Sequence, residues 1–219
     1  MRRQPYFWRG TFYLTGGVAL TCGLTLATKS GLGASAIIST PFAVSNAFQI
    51  PISVTTFCTY ALMTLLQIFI KRKNFSWRDL LQLPLSLIFS SLLGWFSGLF
   101  SLQLTQLWQN VILMLIAIVL IGIGAAMMVD MRIVPQAPEG LAQAINEAMN
   151  WDLGLAKNLL DLCCVVMALL IDLLFSKKII SVGVGTILAM LLVGRVIFVF
   201  NRYCKIPMCR LAGFVDANV

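Results

Sequence analysis

Long apolar runs separated by short polar or basic turns set the pattern of this chain. Gly10 to Thr28 carries no charge and is flanked by Arg9 and Lys29, which is enough for a helix to cross a hydrocarbon core that needs about 20 residues. A second run, Ile52 to Ile70, stops at Lys71-Arg72-Lys73, with Arg78 close behind. Leu80 to Val129 then holds no acidic or basic residue. The polar but uncharged SLQLTQLWQN at 101–110 divides it into spans at 80–100 and 111–129. A fifth helix is predicted from about Leu153 to Phe175, a turn at Ser176-Lys177-Lys178, and a sixth from Ile179 to about Phe200. The pattern predicts an all-α membrane protein with about six transmembrane helices, one polytopic domain over 1–219, and a basic tail from 201 to 219.

Two stretches break the pattern. Lys29 to Pro51 opens with the breaker-rich KSGLGAS and continues as an apolar segment dotted with Ser, Thr, Asn, Gln and two prolines. Gly31, Gly33 and Pro41 mark it as unsuited to a lipid-facing span, and it is expected as a short interfacial helix or a re-entrant piece folded into protein. The second stretch, Asp130 to Asp161, holds five of the eight acidic residues and opens with Pro135 and Pro138. Within it, Leu141, Ala144, Ile145, Ala148 and Met149 fall on one helical side, opposite Glu139, Gln143, Asn146, Glu147 and Asn150. Carboxylates on that polar side would be repelled by anionic lipid, so this helix is expected to dock on protein, to face a water-filled cavity, or to lie solvated in the cytoplasm.

Shifting the chain by 101 residues lays these stretches over one another. The first span then lies over the fourth, the second over the fifth, and Gly23 over Gly124. The second copy runs about four residues further before its lysines. Two repeats are predicted, about 8–100 and 109–200. Three crossings in each make them inverted, with a broken segment at corresponding places, as in many transporters.

Composition narrows the class. Hydrophobic residues make up 59% and charged residues 11%, with mean hydropathy +0.91, against roughly 25% charge in a soluble domain. The net charge of +8 comes from bases at span ends, the positive-inside pattern rather than a nucleic-acid surface. It places both termini and the 71–79 loop in the cytoplasm, with Lys177 and Lys178 as the exception outside. The basic N-terminus leads into a full-length span and is read as an uncleaved first helix. Histidine is absent, which removes imidazole relays, ligands and bases. Cys22, Cys58, Cys163 and Cys164 lie in apolar segments, and Cys204 and Cys209 on the basic tail. Neither a metal, a cofactor nor a disulfide framework is indicated.

Ser30-Gly31-Leu32-Gly33-Ala34-Ser35 with Pro41, the lysine-rich end of the second span, and Gly183-Val184-Gly185-Thr186 followed by Gly194 resemble the YczE/YyaS/YitT-like integral membrane proteins. The resemblance covers most of the chain. It implies a small multi-pass protein of the bacterial inner membrane, and no particular chemistry.

An acidic side chain within a span is costly and is usually kept for function. Asp161 lies about 12 Å inside the fifth helix at 1.5 Å per residue. Lys157, one turn earlier, offers an ordinary i,i+4 partner, with Asn158 beside it. Arg195 in the sixth span, at comparable depth, offers a buried partner. Asp161, Arg195, Lys157, Asn158 and Glu147 are therefore the candidate substrate or proton site. Asp172, on the same helical stripe three turns on, is read as an interfacial charge within reach of Lys177. Three functions compete. A secondary transporter or permease for a small solute fits the inverted halves and broken segments. An accessory subunit that binds a membrane partner, or a homo-oligomer, fits the small size. An intramembrane enzyme would rest on carboxylates alone, without a recognisable motif. The pattern GxxxxGK[ST] is absent, so direct nucleotide hydrolysis is not expected.

Overall fold

A computed structural model describes residues 4–72, 76–100 and 106–214. Residues 1–3, 73–75, 101–105 and 215–219 lie outside the described residues, and with them Lys73 and the first half of the 101–110 loop. In chain order the helices are α1 (Gln4–Lys29), α2 (Ala36–Phe48), α3 (Ile52–Lys71), α4 (Gln82–Leu99), α5 (Leu107–Met131), α6 (Ala137–Met149), α7 (Leu153–Ile171), α8 (Val184–Phe200) and α9 (Ile206–Leu211). Six of them, α1, α3, α4, α5, α7 and α8, are long and apolar enough to cross a membrane. The chain is an all-α, multi-pass membrane protein.

The two broken stretches become α2 and α6. Each is 13 residues long, about 20 Å, and too short for a hydrocarbon core of about 30 Å. Their starting residues, 36 and 137, are 101 positions apart. Both stop at a left-handed residue, Gln49 with φ 55° and Asn150 with φ 53°, a common way to end a helix. Beyond each stop a side chain of the last turn closes the corner. Ser45 Oγ donates to the Ile50 carbonyl at 2.7 Å, and the Asn146 amide donates to the Trp151 carbonyl. These residues correspond at the same shift.

Extended links lead into both short helices, and their backbone groups are met by protein, as non-helical backbone at membrane depth requires. Ala34 N–H donates to the Ser181 carbonyl at 2.9 Å, and Gly185 N–H to the Leu32 carbonyl at 2.8 Å. Thr186 Oγ1 donates to the Ala34 carbonyl at 2.7 Å. Gly33, with φ 105°, passes so close to Gly183 that a Cβ there would lie 2.5 Å from its nitrogen. On the other link Tyr13 Oη donates to the Val134 carbonyl at 2.9 Å.

The α1–α5 crossing is the spine of the molecule. A Cβ on Gly23 would lie 2.8 Å from the Ala117 carbonyl, and one on Gly124 would lie 2.5 Å from the Gly16 carbonyl. Backbones touch there because no side chain intervenes. Around this spine α4 packs on α1 and α8 on α5, while α2 packs along α7 and α6 along α3. Exchanging first-half helices for second-half helices maps each of these contacts onto another. One contact has no counterpart: α3 packs along α4, whereas α7 and α8 barely touch.

Four sequence expectations change. The sixth helix begins at Val184, not Ile179, because the residues before it form a turn organised by Asp172. That carboxylate is not interfacial but fully buried. It accepts hydrogen bonds from the Ile180 and Ser181 amides at 2.9 and 2.7 Å and from Ser181 Oγ at 3.1 Å. The buried face of α6 is also rotated. Ala137, Gly140, Leu141, Ala142 and Ala144 are covered, while Ala148 and Met149 are exposed. Finally, the basic tail continues the sixth helix through a π-helical turn at 201–205 into α9, burying Met208 and Cys209. Nearby, Lys205 pairs with Asp130 at 3.9 Å, and Arg9 lies over the Phe214 ring at 4.7 Å.

Candidate functional site

The first turns of α2 and α6 meet at a cavity of about 220 Å³ near the middle of the bundle. Leu20 and Leu24 of α1 and Ile121 and Ala125 of α5 line it together. These two pairs correspond at the 101-residue shift, so the cavity sits where the two halves meet. Ser35 and Ala36 enter from α2, and Gln136 and Glu139 from α6. Neither N-cap side chain, Ser35 nor Gln136, accepts a bond from its own helix. The unsatisfied amides of a helix start carry partial positive charge, and here two such starts border one space. Pro41 contributes as well, because it lacks the N–H that would bond the Ile37 carbonyl, and Ile37 lines the cavity.

Helix α7 supplies the polar side. Lys157, Asn158 and Asp161 all line the cavity. Thr40 Oγ1 donates to the Cys164 carbonyl at 2.8 Å and fixes α2 beside this segment. Lys157 pairs with Glu139 at 3.7 Å, with side-chain exposures of 44% and 23%. Its partner is therefore not Asp161, as the i,i+4 spacing suggested. Asp161 Oδ1 and Glu139 Oε2 are both buried without a hydrogen-bond partner. Since Lys157 is nearly half exposed, the pair itself contributes little. A double-mutant cycle on Glu139→Ala and Lys157→Ala is expected to give a coupling of about 0–1 kcal/mol in thermal stability. A coupling well above that would show the pair to be structural.

A wider chamber of about 560 Å³ adjoins this cavity and shares Gln136, Glu139 and Lys157 with it. Arg132, Leu153 and Asn201 also line it, so it runs toward the end of the bundle where Arg9, Asp130 and Lys205 lie. The Glu139–Lys157 pair stands at the junction.

The structure thus brings Asp161, Lys157 and Asn158 together and sets the other two candidates apart. Glu147 is exposed near the end of α6. Arg195 is exposed and, among the described residues, has no ion pair. The cavity-lining residues of α8 are 189, 190, 193, 194 and 197, and at 100° per residue position 195 falls on the opposite side of the helix. Gly31 and Gly33 lie in the link before α2, Pro41 within that helix, Pro135 in the link before α6 and Pro138 in its first turn. Among the described residues no cluster of His, Cys, Asp and Glu could hold a metal ion.

Sequence reasoning passed over Tyr60, which also lines the cavity, the cavity positions of Ser35 and Gln136, and the central place of Glu139. A signal existed: Tyr60 corresponds to Asp161, and Ser35 to Gln136, at the shift of 101. The same correspondence shows where the halves differ. Glu139, Lys157 and Asp161 stand where the first half has Ile38, Thr56 and Tyr60. The helix contacts correspond between the two stretches, whereas the charge at the cavity comes from the second alone.

No curated protein and no solved structure matches the chain. A family model does match, over residues 7–202. That stretch takes in all six spans except their outermost ends, both short helices and every residue of the cavity, and the chain belongs to this family, DUF6198, a family of unknown function.

Proposed function

We propose that this protein is a secondary transporter or permease for a small solute, built from two inverted halves around the central cavity. One observation carries the reading. Two half-length helices start beside the same cavity, and that cavity connects to a wider chamber on one side. Half-helices that begin near the bilayer midplane, at the interface between repeats, are how many carriers hold substrate. The reciprocal contacts of the two halves and their matching left-handed stops support the inversion. Asp161 and Glu139 are the residues placed to meet a cationic group or a proton, and the starts of α2 and α6 to meet an anionic one.

The membrane assigned is the bacterial cytoplasmic membrane, in keeping with the short motifs shared with YczE-type proteins. Both termini face the cytoplasm in this reading, because Arg9, Lys71, Arg72, Arg202, Lys205 and Arg210 gather at one end. The wide chamber then opens inward. Single cysteines introduced into a cysteine-free background test the orientation. An impermeant maleimide added outside should label position 177 or 178 and leave position 147 unlabelled. Outside labelling at 147 would reverse the assignment.

Transport is tested with purified protein in liposomes and a panel of labelled amino acids, amines and small organic acids. Saturable uptake of at least one class is expected, and Asp161→Asn should abolish it at unchanged melting temperature. No uptake across the panel, together with one-sided accessibility of Asn158→Cys under every gradient applied, would overturn the reading.

A further inference from the structure

We propose that the outer face of α8 binds a transmembrane helix of another protein, and that Arg195 is its anchor to a carboxylate on that helix. The proposal does not depend on the transport reading. Helix α8 belongs to the most peripheral span, with only 17% of its apolar window buried against 56% for α1. Val184, Leu191 and Phe198 are exposed along one stripe, and Arg195 is exposed in the middle of it. Arg195 lies about 16 Å along the helix from Val184 and about 10 Å from Arg202. Its side chain cannot easily turn to the nearer water. Helical side chains lean toward the N-terminus of their helix, which here points away from Arg202. Charged groups at such depth almost always face protein or a water-filled space and have a partner. Among the described residues Arg195 has neither. It faces away from the cavity, and the ion pairs of the described residues use other bases.

The chemistry of the missing partner follows from what the chain and the bilayer can offer. A second copy is a poor source. Among the described residues, Asp79, Asp130 and Glu139 are paired, and Asp172 is buried. Asp161 lines the interior, and Glu147 and Asp152 lie at helix ends. Among the described residues no carboxylate remains on the outside at this depth, and two α8 faces would bring arginine against arginine. Lipid phosphates sit at the interface, away from the middle of the span. An apolar helix with one Asp or Glu near its centre supplies both the charge and the greasy stripe.

The test uses the full-length protein, fluorescently labelled in liposomes, and synthetic Leu/Ala transmembrane peptides of about 21 residues with Asp or Leu at the centre. Energy transfer should show the Asp peptide associating about tenfold more tightly than the Leu peptide, in line with interhelical polar contacts in membranes. Arg195→Leu should erase that preference, and Arg195→Lys should keep part of it. Equal binding of the two peptides, or a preference that survives Arg195→Leu, would overturn the proposal. So would an Arg195-dependent dimer in peptide-free liposomes, which would give the face to a second copy. Arg195→Leu should also fold with at least wild-type stability, because it removes an exposed, unpaired charge. Failure to fold would place the arginine inside the structure and equally overturn it.

Discussion

Asp172→Ala should be among the most damaging single substitutions in the molecule, lowering stability by roughly 3 kcal/mol or more, read as a fall in melting temperature in detergent. The carboxylate accepts three hydrogen bonds from Ile180 and Ser181 in a fully buried place. Removing it strands two backbone amides, each at a cost of about 1–3 kcal/mol. The damage should spread, because the Ser181 carbonyl holds Ala34 and so sets the start of α2. Asp172→Asn retains one acceptor and should lose less. Asp161→Ala is expected to behave oppositely. Its Oδ1 has no hydrogen-bond partner, so stability should hold or rise while any transport is lost. An unchanged melting temperature in Asp172→Ala would show that the turn at 180–181 is held by something else.

Gly124→Val is expected to be comparably severe. A Cβ at this position would meet the Gly16 carbonyl and the Leu20 nitrogen, both at 2.5 Å. Those are backbone atoms and cannot rotate away, so α1 and α5 must separate. Overpacking in a core costs about 1–3 kcal/mol, occasionally more, and the crossing of two spans is a place where little can adjust. Gly194→Ala serves as the control. Gly194 lines the cavity, yet a Cβ there would meet nothing within 4 Å, so its stability should stay at the wild-type level. Equal melting temperatures for Gly124→Val and wild type would mean that the α1–α5 contact is loose.

The spans were readable from sequence because a bilayer imposes a length on every apolar run, and Ile52 to Ile70 or Leu153 onward can hardly be read otherwise. The two short helices were readable for a related reason. Gly31, Gly33 and Pro135 interrupt runs that would otherwise be spans, and the interruptions recur at one spacing. Pairings between helices were not readable. Asp161 and Arg195 are at similar depths, but depth says nothing about which way a helix is turned, and α8 turns Arg195 outward. Asp172 was misread because distance from the helix end was taken as exposure to water. The turn after it folds back over the carboxylate, and nothing in the residues Ser176 to Gly183 announces that fold. Glu139 was visible as a polar residue on an amphipathic helix. Its central place depends on α6 beginning deep in the bundle, a tertiary fact.

The missing contact between α7 and α8 has a consequence for the medium in which the protein works. Both helices line the central cavity, yet they barely touch, whereas α3 and α4 seal the equivalent seam in the other half. In a bilayer, acyl chains would complete that wall, and lipid would form part of the cavity's boundary. On the proposed transport reading, a solute with a greasy body would then have a sideways route from the membrane interior that bypasses the wider chamber. The boundary of the cavity would also depend on lipid. Short or branched chains would seal the seam differently from long straight ones, and detergent would leave it ragged. Leakage, affinity and thermal stability should accordingly vary with acyl-chain composition, and the same purified protein should behave differently in micelles and in vesicles.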